Sequence, residues 1–426
     1  MKRTLCSDIS RHQGEEIRIC GWVQATRSLG GIAFVIVRDR TGTSQAVFEG
    51  KAELPPQQSV VEVSGMVRAE KRAPGGCEIV GTCITELSRA EPALPLDIMG
   101  KTQSNVEVML DHRVLALRNP RVSAALRVQS ELAAAFRDFL RSEGFTEVFT
   151  PKIVATGTEG GAELFEVKYF ERQAYLAQSP QLYKQMLVGS GLERVFEVGP
   201  VFRAEEHNTS RHINQFTSLD LEMGFIESVE DVMRLEERLL AYALPRVAKA
   251  CACEIEMAGA RVPQPGSIPR LDIEEAREAA RIGLGHEMPP GNLSPEGEKA
   301  VSEHILETTG QEFVFVTGYP VTSRPFYAMP DPTDPSRTKS FDLLFRGLEV
   351  TTGGQRIHDH EMLLRNLSAW GLDPAKFEGY LEVFRFGMPP HGGLAIGAER
   401  LTTRLLGLGN VREACTFPRD RTRLQP

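Results

Sequence analysis

The segment FRAEEHNTSRHINQF, Phe202 to Phe216, lies between two stretches that read as β-strands, RVFEVGPVF before it and FTSLDLEMGFI after it. Apolar and polar residues alternate on both sides, which predicts a hairpin with a long connection. That connection gathers Arg203, Glu205, Arg211 and His212 around one turn, with Ile213 and Phe216 on the way back. A guanidinium forks onto phosphate oxygens, a carboxylate accepts from an exocyclic amine, and an aromatic face stacks on a base. The same residues also suit a solvated hairpin laced with surface ion pairs. The loop alone leaves both readings open.

Other segments add complementary chemistry. GGLAIGAERL, residues 392–401, passes from strand to helix through Gly397 and Ala398, small residues where a backbone approaches a ligand closely. Glu399 and Arg400 follow in the first helical turn, where a cation opposes the helix dipole and a function explains it better than stability does. LEVTTGGQR, residues 348–356, offers Glu349 and Thr352 as oxygen ligands for a hard cation such as magnesium, and Arg356 after a Gly-Gly pair. SPQLYKQ, residues 179–185, contributes Gln181 and Lys184, and TEGGAELF, residues 158–165, contributes Glu159 beside two glycines.

Further out, the chain divides by pattern. IRICGWVQATR, IAFVIVRDRTGTSQAVF, SVVEVSGMVRAE and CEIVGTCITEL read as about five short strands with Gly-rich turns within residues 1–90. They predict a small Greek-key barrel such as an OB-fold, or a structural β-domain with no ligand. EPALPLD, Glu91 to Asp97, reads as an extended linker. From Pro120 onward, Leu126, Leu132, Phe136, Phe139 and Leu140 recur at three- and four-residue spacings, predicting a long helix that stops at Gly144. FTEVFTPKIV then reads as a strand whose Pro151 belongs at an edge or an interface. Helical patterns over 229–250 and 271–310 alternate irregularly with strands in EFVFVTGYP and KSFDLLFRGLEVTTGG. That mixture, without a regular βαβ repeat, predicts an α+β domain on a mostly antiparallel sheet.

The bulk numbers exclude several classes. A chain of 426 residues with 41% hydrophobic and 25% charged residues has the length of two or three domains and a globular composition. A formal charge of -8 argues against nucleic-acid binding through bulk positive charge. It leaves room for a local basic surface, and residues 1–89 carry a slight basic excess. No apolar run suits a membrane span, and Met1 to Ser10 lacks the apolar stretch of a secretory signal, so the expected location is cytoplasmic. The cysteines are scattered without a CxxC pair, which fits neither a disulfide framework nor a zinc knuckle. His358-Asp359-His360 has metal-ligand residue types but no second ligand cluster in the sequence.

Together these segments resemble the class II aminoacyl-tRNA synthetases, and specifically the archaeal-type aspartyl-tRNA synthetases, across nearly the whole chain. The long helix, strand and Pro151 resemble the first signature motif, FRAEE and RHINQF the second, and GAERL the third, joined by SPQLYKQ, GGQR and FPRD. The resemblance implies an OB-fold anticodon-binding domain over 1–90, a linker over 91–119 and a class II catalytic domain over 120–426. That domain would carry a six- or seven-stranded antiparallel sheet, in a homodimer built partly on the first motif. It implies activation of aspartate by ATP to aspartyl-adenylate, release of pyrophosphate, and esterification of the terminal adenosine of tRNA(Asp).

In that family's pattern Arg203 grips the α-phosphate and the reacting carboxylate, Glu205 receives the adenine amine and Phe216 stacks on the ring. Arg211, His212 and Ile213 lie near the nucleotide, and Arg400, after Gly397, Ala398 and Glu399, holds the γ-phosphate. Glu349 and Thr352 bind magnesium with Asp342 in support, although the family usually has serine where this chain has Thr352. Glu159 and Gln181 hold the substrate ammonium, Lys184 and Arg356 pair with its side-chain carboxylate, and Leu182, Tyr183, Thr352 and Arg203 complete the aspartate pocket. Arg203, Glu349 and Arg400 are then the catalytic candidates, acting by positioning and charge stabilisation without a dedicated base.

Lys184 bears on the substrate. Asparaginyl-tRNA synthetases, the nearest alternative, resemble QLYL at this point, because a neutral amide needs no second cation. A non-catalytic synthetase-like binding protein is a further alternative, but such relatives usually lose a clamp arginine or the metal-binding glutamate. In the barrel, Phe34 and Gln45 are candidates for stacking on and bonding to anticodon bases, with core packing an alternative for Phe34. Relatives that reject the asparagine tRNA tend to carry tryptophan where this chain has Gln24 and lysine where it has Cys83. The resemblance therefore implies a non-discriminating enzyme that also makes aspartyl-tRNA(Asn), for conversion by an amidotransferase.

Overall fold

The computed structural model describes residues 2–50, 53–100, 104–157, 164–206, 209–288 and 291–425. Contacts divide the chain into two compact units, Met1–Asp97 and Ile98–Pro426.

The first unit is a closed barrel of β1 (Glu16–Leu29), β2 (Ile32–Asp39), β3 (Gly42–Glu49), β4 (Val60–Ala69) and β5 (Cys77–Ser88), in the order β1-β2-β3-β5-β4. Strict alternation makes it: Ala33, Val35 and Val37 of β2 point inward with Ile17, Ile19, Val61, Val63 and Ile79, while Phe34, Ile36 and Arg38 take the other face. Phe34 is therefore half-buried on the outside of the barrel and outside its core. Thr41 donates through its backbone N and its hydroxyl to Asp39 Oδ1, closing the β2–β3 turn.

The second unit starts earlier than the sequence suggested. Residues 98–119, expected as linker, include α1 (Val106–Asp111), capped by Asn105, and α2 (Arg113–Ala116). Arg113 is buried and donates to the carbonyls of Glu413, Cys415 and Thr416, partners that a free linker arginine would find in water instead. The long helix α3 (Pro120–Ser142) has Asn119 as cap and Pro120 in its first turn, and it ends before Gly144 at φ +80°. Leu132, Phe136, Phe139 and Leu140 enter the core, whereas Leu126 stays half-buried. Pro151 lies in no strand. It separates β6 (Thr146–Glu147) from β7 (Ile153–Val154), which belong to different sheets. There β7 joins β8 (Glu166–Tyr169) and β9 (Arg172–Leu176) in a small sheet of order β7-β9-β8.

The main sheet is built from the remaining strands. In chain order come α4 (Gln181–Leu187), β10 (Arg194–Phe202), β11 (Gln215–Gly224), α5 (Val229–Ala250), α6 (Ala252–Ala258), β12 (Arg270–Asp272), α7 (Ile273–Leu284) and α8 (Pro295–Thr309). They continue with β13 (Phe313–Thr317), β14 (Ser340–Phe345), β15 (Leu348–Arg356), α9 (His360–Ala369), α10 (Glu378–Arg385), β16 (His391–Gly397) and α11 (Ala398–Leu406). The order β12-β13-β14-β15-β16-β11-β10-β6 gives eight strands among the described residues, not the six or seven expected. The edge strands β12 and β6, of three and two residues, pair parallel to their neighbours, and the other pairs are antiparallel. Strands this short leave almost no periodicity to read. Helices α3, α5 and α11 contribute to one hydrophobic core with the central strands, and α7 and α8 form a second with β13. The sheet is thus a rigid platform on which charged side chains are held.

Candidate active site

The opening loop is fastened at its neck. Arg203 N donates to Asn214 O at 2.9 Å, and the buried Asn214 side chain donates to the carbonyls of Arg203 and Glu205 at 2.8 and 3.1 Å. Asn214 N in turn donates to Arg419 O at 2.7 Å, so the FPRD segment backs the loop. Nothing in the sequence pattern singled out Asn214. With its neck fixed, the loop holds the Arg203 guanidinium over the Phe216 ring, 5.6 Å from the centroid. Arg203 Nε is buried with no acceptor among the described residues.

The cleft beneath the loop has a volume of about 100 Å³ and is lined by Arg203, Glu205, Arg211, His212, Ile213 and Phe216, with Glu349, Thr352, Gly397, Glu399 and Arg400 opposite. Glu349 is its hub. Arg400 Nη1 reaches Glu349 Oε1 at 3.2 Å, Thr352 Oγ1 donates to the same oxygen at 3.1 Å, and Glu349 N donates to Glu298 Oε2 at 2.9 Å. Glu298 also receives Arg211 Nη2 at 2.7 Å. Burial opposes charge on Glu349, but the guanidiniums of Arg400, Arg324 and Arg211 outweigh it and hold the carboxyl below its ordinary range. Asp342, opposite Thr352 in register, behaves differently. Burial raises its pKa although Arg324 forks onto both its oxygens at 3.0 and 2.7 Å. Glu298 is likewise raised, by burial and then by Glu349. Neither Glu298 nor Arg324 was singled out in the sequence.

Two expected nucleotide contacts have other partners. Both Glu399 oxygens accept from Thr217 N at 3.0 Å, so this carboxyl ties α11 to β11. Ala398 is packed in the core.

A second cluster forms where α4 meets β11, β15 and β16. Gln181 and Lys184, three apart on α4, point the same way, while Leu182 turns into the core with Val195 and Phe326 and Tyr183 stays half-buried. Lys184 Nζ lies 3.0 Å from Asp220 Oδ1 and 3.3 Å from Glu222 Oε2, and donates to the carbonyls of Leu221 and Leu394. Arg356 Nε donates to Glu222 Oε1 at 3.0 Å and its Nη2 lies 3.4 Å from Gln181 Oε1. Burial would raise the Glu222 carboxyl, yet Arg356 and Lys184 pull it below its usual range. The two cations expected in the aspartate pocket thus converge on Asp220 and Glu222, which the sequence reading missed. Both carboxylates lie inside a strand that reads as apolar alternation, and only the fold turns them toward Lys184. Gly393 is small for the same reason: a Cβ there would sit 2.2 Å from Glu222 Oε2. Glu159 lies outside the described residues.

Among the described residues no group of three His, Cys, Asp or Glu side chains forms a metal cage. Asp359 of His358-Asp359-His360 caps α9, accepting from Met362 N.

With this geometry in view, comparison with known families is direct. The model for tRNA synthetases class II (D, K and N) matches residues 105–421, and that for the OB-fold nucleic acid binding domain matches residues 17–87. The chain belongs to the class II tRNA synthetases. This synthetase is 52% identical to the aspartate–tRNA(Asp/Asn) ligase of Deinococcus radiodurans, covering 100% of this chain and 99% of that one. It is 45% identical to the aspartate–tRNA(Asp) ligase of Pyrococcus abyssi over 97% of each chain. The solved asparaginyl-tRNA synthetase of Pyrococcus horikoshii, complexed with asparaginyl-adenylate, superposes on it with a TM-score of 0.93 over 100% of both chains at 33% identity. Backbones so alike leave substrate choice to side chains.

In the synthetase's barrel, Gln24, Phe34, Gln45 and Cys83 fall on β1, β2, β3 and β5, neighbours in strand order. Gln24 sits at a bulge between Val23 and Ala25, with its Oε1 buried and without a donor among the described residues. Gln45 Nε2 donates to Glu78 Oε2 at 2.8 Å, and Cys83 is exposed. No helix among the described residues is long and apolar enough to cross a membrane.

Proposed function

We propose that this synthetase is an aspartate–tRNA ligase that loads aspartate onto tRNA(Asp) and onto tRNA(Asn). The observation that carries the amino-acid choice is the buried pair Lys184 and Arg356, which sits with Asp220 and Glu222 in a floor of two cations and two carboxylates. Such a floor is charge-balanced, and aspartate brings matching groups: its ammonium suits Asp220, Gln181 and Glu159, and its side-chain carboxylate suits Lys184 and Arg356. An asparagine side chain would leave Lys184 facing an amide. The relatives in Deinococcus radiodurans and Thermus thermophilus, 52% and 50% identical, carry the name aspartate–tRNA(Asp/Asn) ligase, which supports the double tRNA range. Gln24 and Cys83 agree with it.

In this reading Phe216 stacks on adenine, Glu205 receives its amine, Arg203 holds the α-phosphate beside the aspartate carboxylate, and Arg211, His212 and Arg400 hold the outer phosphates. A carboxylate oxygen attacks the α-phosphorus, the bond to the bridging oxygen breaks, and pyrophosphate leaves without a proton transfer. The terminal hydroxyl oxygen of tRNA then bonds to the aspartyl carbonyl carbon, the bond from that carbon to the phosphate oxygen breaks, the hydroxyl proton passes to a phosphate oxygen, and AMP leaves. Arg203 lies over the Phe216 ring, 5.6 Å from its centroid, so it must leave that face for the base to stack there. Glu349 and Thr352 fit a magnesium ion, because the carboxyl is held ionised and the hydroxyl lies 3.1 Å from it. When bound, the ion would neutralise charge on the phosphates; Asp342, occupied by Arg324, would support the site from the neighbouring strand. Partners in this reading are a second copy of the chain and a downstream tRNA-dependent amidotransferase, in the cytoplasm.

The test is charging of purified tRNA(Asp) and tRNA(Asn), each with labelled aspartate and with labelled asparagine. Aspartate on both tRNAs is the expected result. Aspartate on tRNA(Asp) alone removes the Gln24 and Cys83 argument, and asparagine on either removes the Lys184 argument.

A further inference from the structure

Beside the nucleotide cleft lies a second cavity of about 390 Å³, on the outer side of the Arg211–Glu298 ion pair. Arg211 lines both cavities. The second is walled by Lys299 and Glu303 of α8, by Arg346 at the β14–β15 turn, by Glu312, and by Arg404 of α11. Arg404 stands four residues after Arg400, so helical spacing puts the two guanidiniums on one face, one leading out from the other.

The charges of this wall do not cancel. Glu312 is satisfied twice, by Arg346 Nε at 2.5 Å and by Arg261 Nη2 at 2.6 Å, and Glu303 pairs with Lys299 at 3.7 Å. Arg346 is also spent: its turn position at φ +48° before Gly347 lets it donate to the carbonyls of Arg404, Leu405 and Arg261. Arg404 is the exception. Its side chain has no acceptor among the described residues, its Nε is buried, and burial together with the neighbouring Arg211 pushes its pKa down. Arg211 Nε is also buried without an acceptor. The C-terminal end of α11 favours a cation nearby, but a helix dipole does not satisfy a buried N–H.

We propose that this cavity is a pyrophosphate subsite, in which Arg404 and the outer edge of Arg211 receive the leaving group as it departs the nucleotide cleft. A diphosphate presents several charged oxygens to guanidinium forks, and the volume exceeds what it needs. The proposal rests on the adenylate-forming reading above.

The experiment uses the full-length enzyme. First, aspartate-dependent ATP–pyrophosphate exchange is measured with varied pyrophosphate for wild type, Arg404→Gln and Arg404→Lys. A KM for pyrophosphate raised about tenfold in Arg404→Gln, largely restored in Arg404→Lys, with the KM for ATP moved less than twofold, is expected. An unchanged KM for pyrophosphate, or equal rises for pyrophosphate and ATP, overturns the proposal. Second, calorimetric titration of pyrophosphate into wild-type enzyme saturated with a non-hydrolysable ATP analogue should still show one equivalent bound; no binding overturns it, whether or not the variants fold. Absence of any exchange in the wild type would instead defeat the adenylate-forming reading, a separate outcome.

Discussion

Replacing Lys184 by leucine tests whether this ammonium serves the substrate or only the fold. It is nearly inaccessible and stands within 3.3 Å of two carboxylates and two carbonyls. Glu222 keeps Arg356 and Gln181 when the lysine goes, but among the described residues Lys184 is the one side-chain partner of Asp220. Lys184→Leu alone should therefore cost about 3–5 kcal/mol of stability, the usual result of stranding one buried charge. Its loss of activity would then be uninformative. The double variant Lys184→Leu/Asp220→Asn removes the stranded charge as well, leaves Arg356 balanced by Glu222, and should recover most of that stability. Its chemistry should not recover. A charge-assisted bond to the substrate carboxylate is worth about 1.5–3 kcal/mol, so kcat/KM for aspartate in ATP–pyrophosphate exchange should fall about 10- to 150-fold below that of Asp220→Asn alone, the variant that isolates any loss at the ammonium. Urea unfolding and exchange kinetics on the same preparations separate the two effects. If the double variant is stable and activates aspartate within threefold of wild type, Lys184 is a structural lysine and the aspartate assignment loses its main support.

Three other expectations follow from the same contacts. Glu236 of α5 is fully buried, accepts from Thr351 Oγ1 at 2.6 Å, and is pushed up to about 8 by burial. A folded pKa above the unfolded one stabilises fully below about pH 4.5, and that contribution is lost as pH rises through 8. Relative to Glu236→Gln, wild type should lose about 3 to 4 kcal/mol between pH 5 and 8 at roughly 1.4 kcal/mol per unit, and a pH-independent difference in urea midpoints would contradict this. At Glu349, Thr352→Ser should leave the magnesium dependence of exchange nearly unchanged while Thr352→Val raises the required magnesium about tenfold; equal behaviour of the two would show that the hydroxyl is not a ligand. Gln24→Trp/Cys83→Lys should lower aspartylation of tRNA(Asn) at least tenfold more than that of tRNA(Asp), and parallel losses on both tRNAs would mean that these positions do not read the third anticodon base.

What the sequence revealed and what it concealed have physical reasons. The barrel was legible because its interior admits one residue in two, so alternation in stretches such as IAFVIVRD reports the fold directly. The lining of the cleft was legible because its residues cluster along the chain: Arg203, Glu205, Arg211 and His212 share one loop, and Glu349 and Thr352 share one strand. The edge strands β6 and β12 were not, since two or three residues carry no period. The chain from Ile98 to Asn119 was misjudged for a different reason. It follows the proline-containing EPALPLD and so reads as more linker, but Arg113 finds its acceptors about 300 residues away, beyond any window of local pattern. Asp220 and Glu222 are the deepest case. Two carboxylates in an alternating strand would ordinarily point to water, and in SLDLEMG nothing marks that face as interior. Between β10 and β16, residues 218–224 of β11 are buried on both faces, so each acidic residue must meet a cation, and the cations come from α4 and β15. The lysine that sequence comparison marks for specificity is thus the one that the fold must neutralise first. In the proposed reading, substrate aspartate would compete with Asp220 and Glu222 for it, and the neutral floor of two cations and two carboxylates favours a ligand that carries both signs of charge over a simple dicarboxylate.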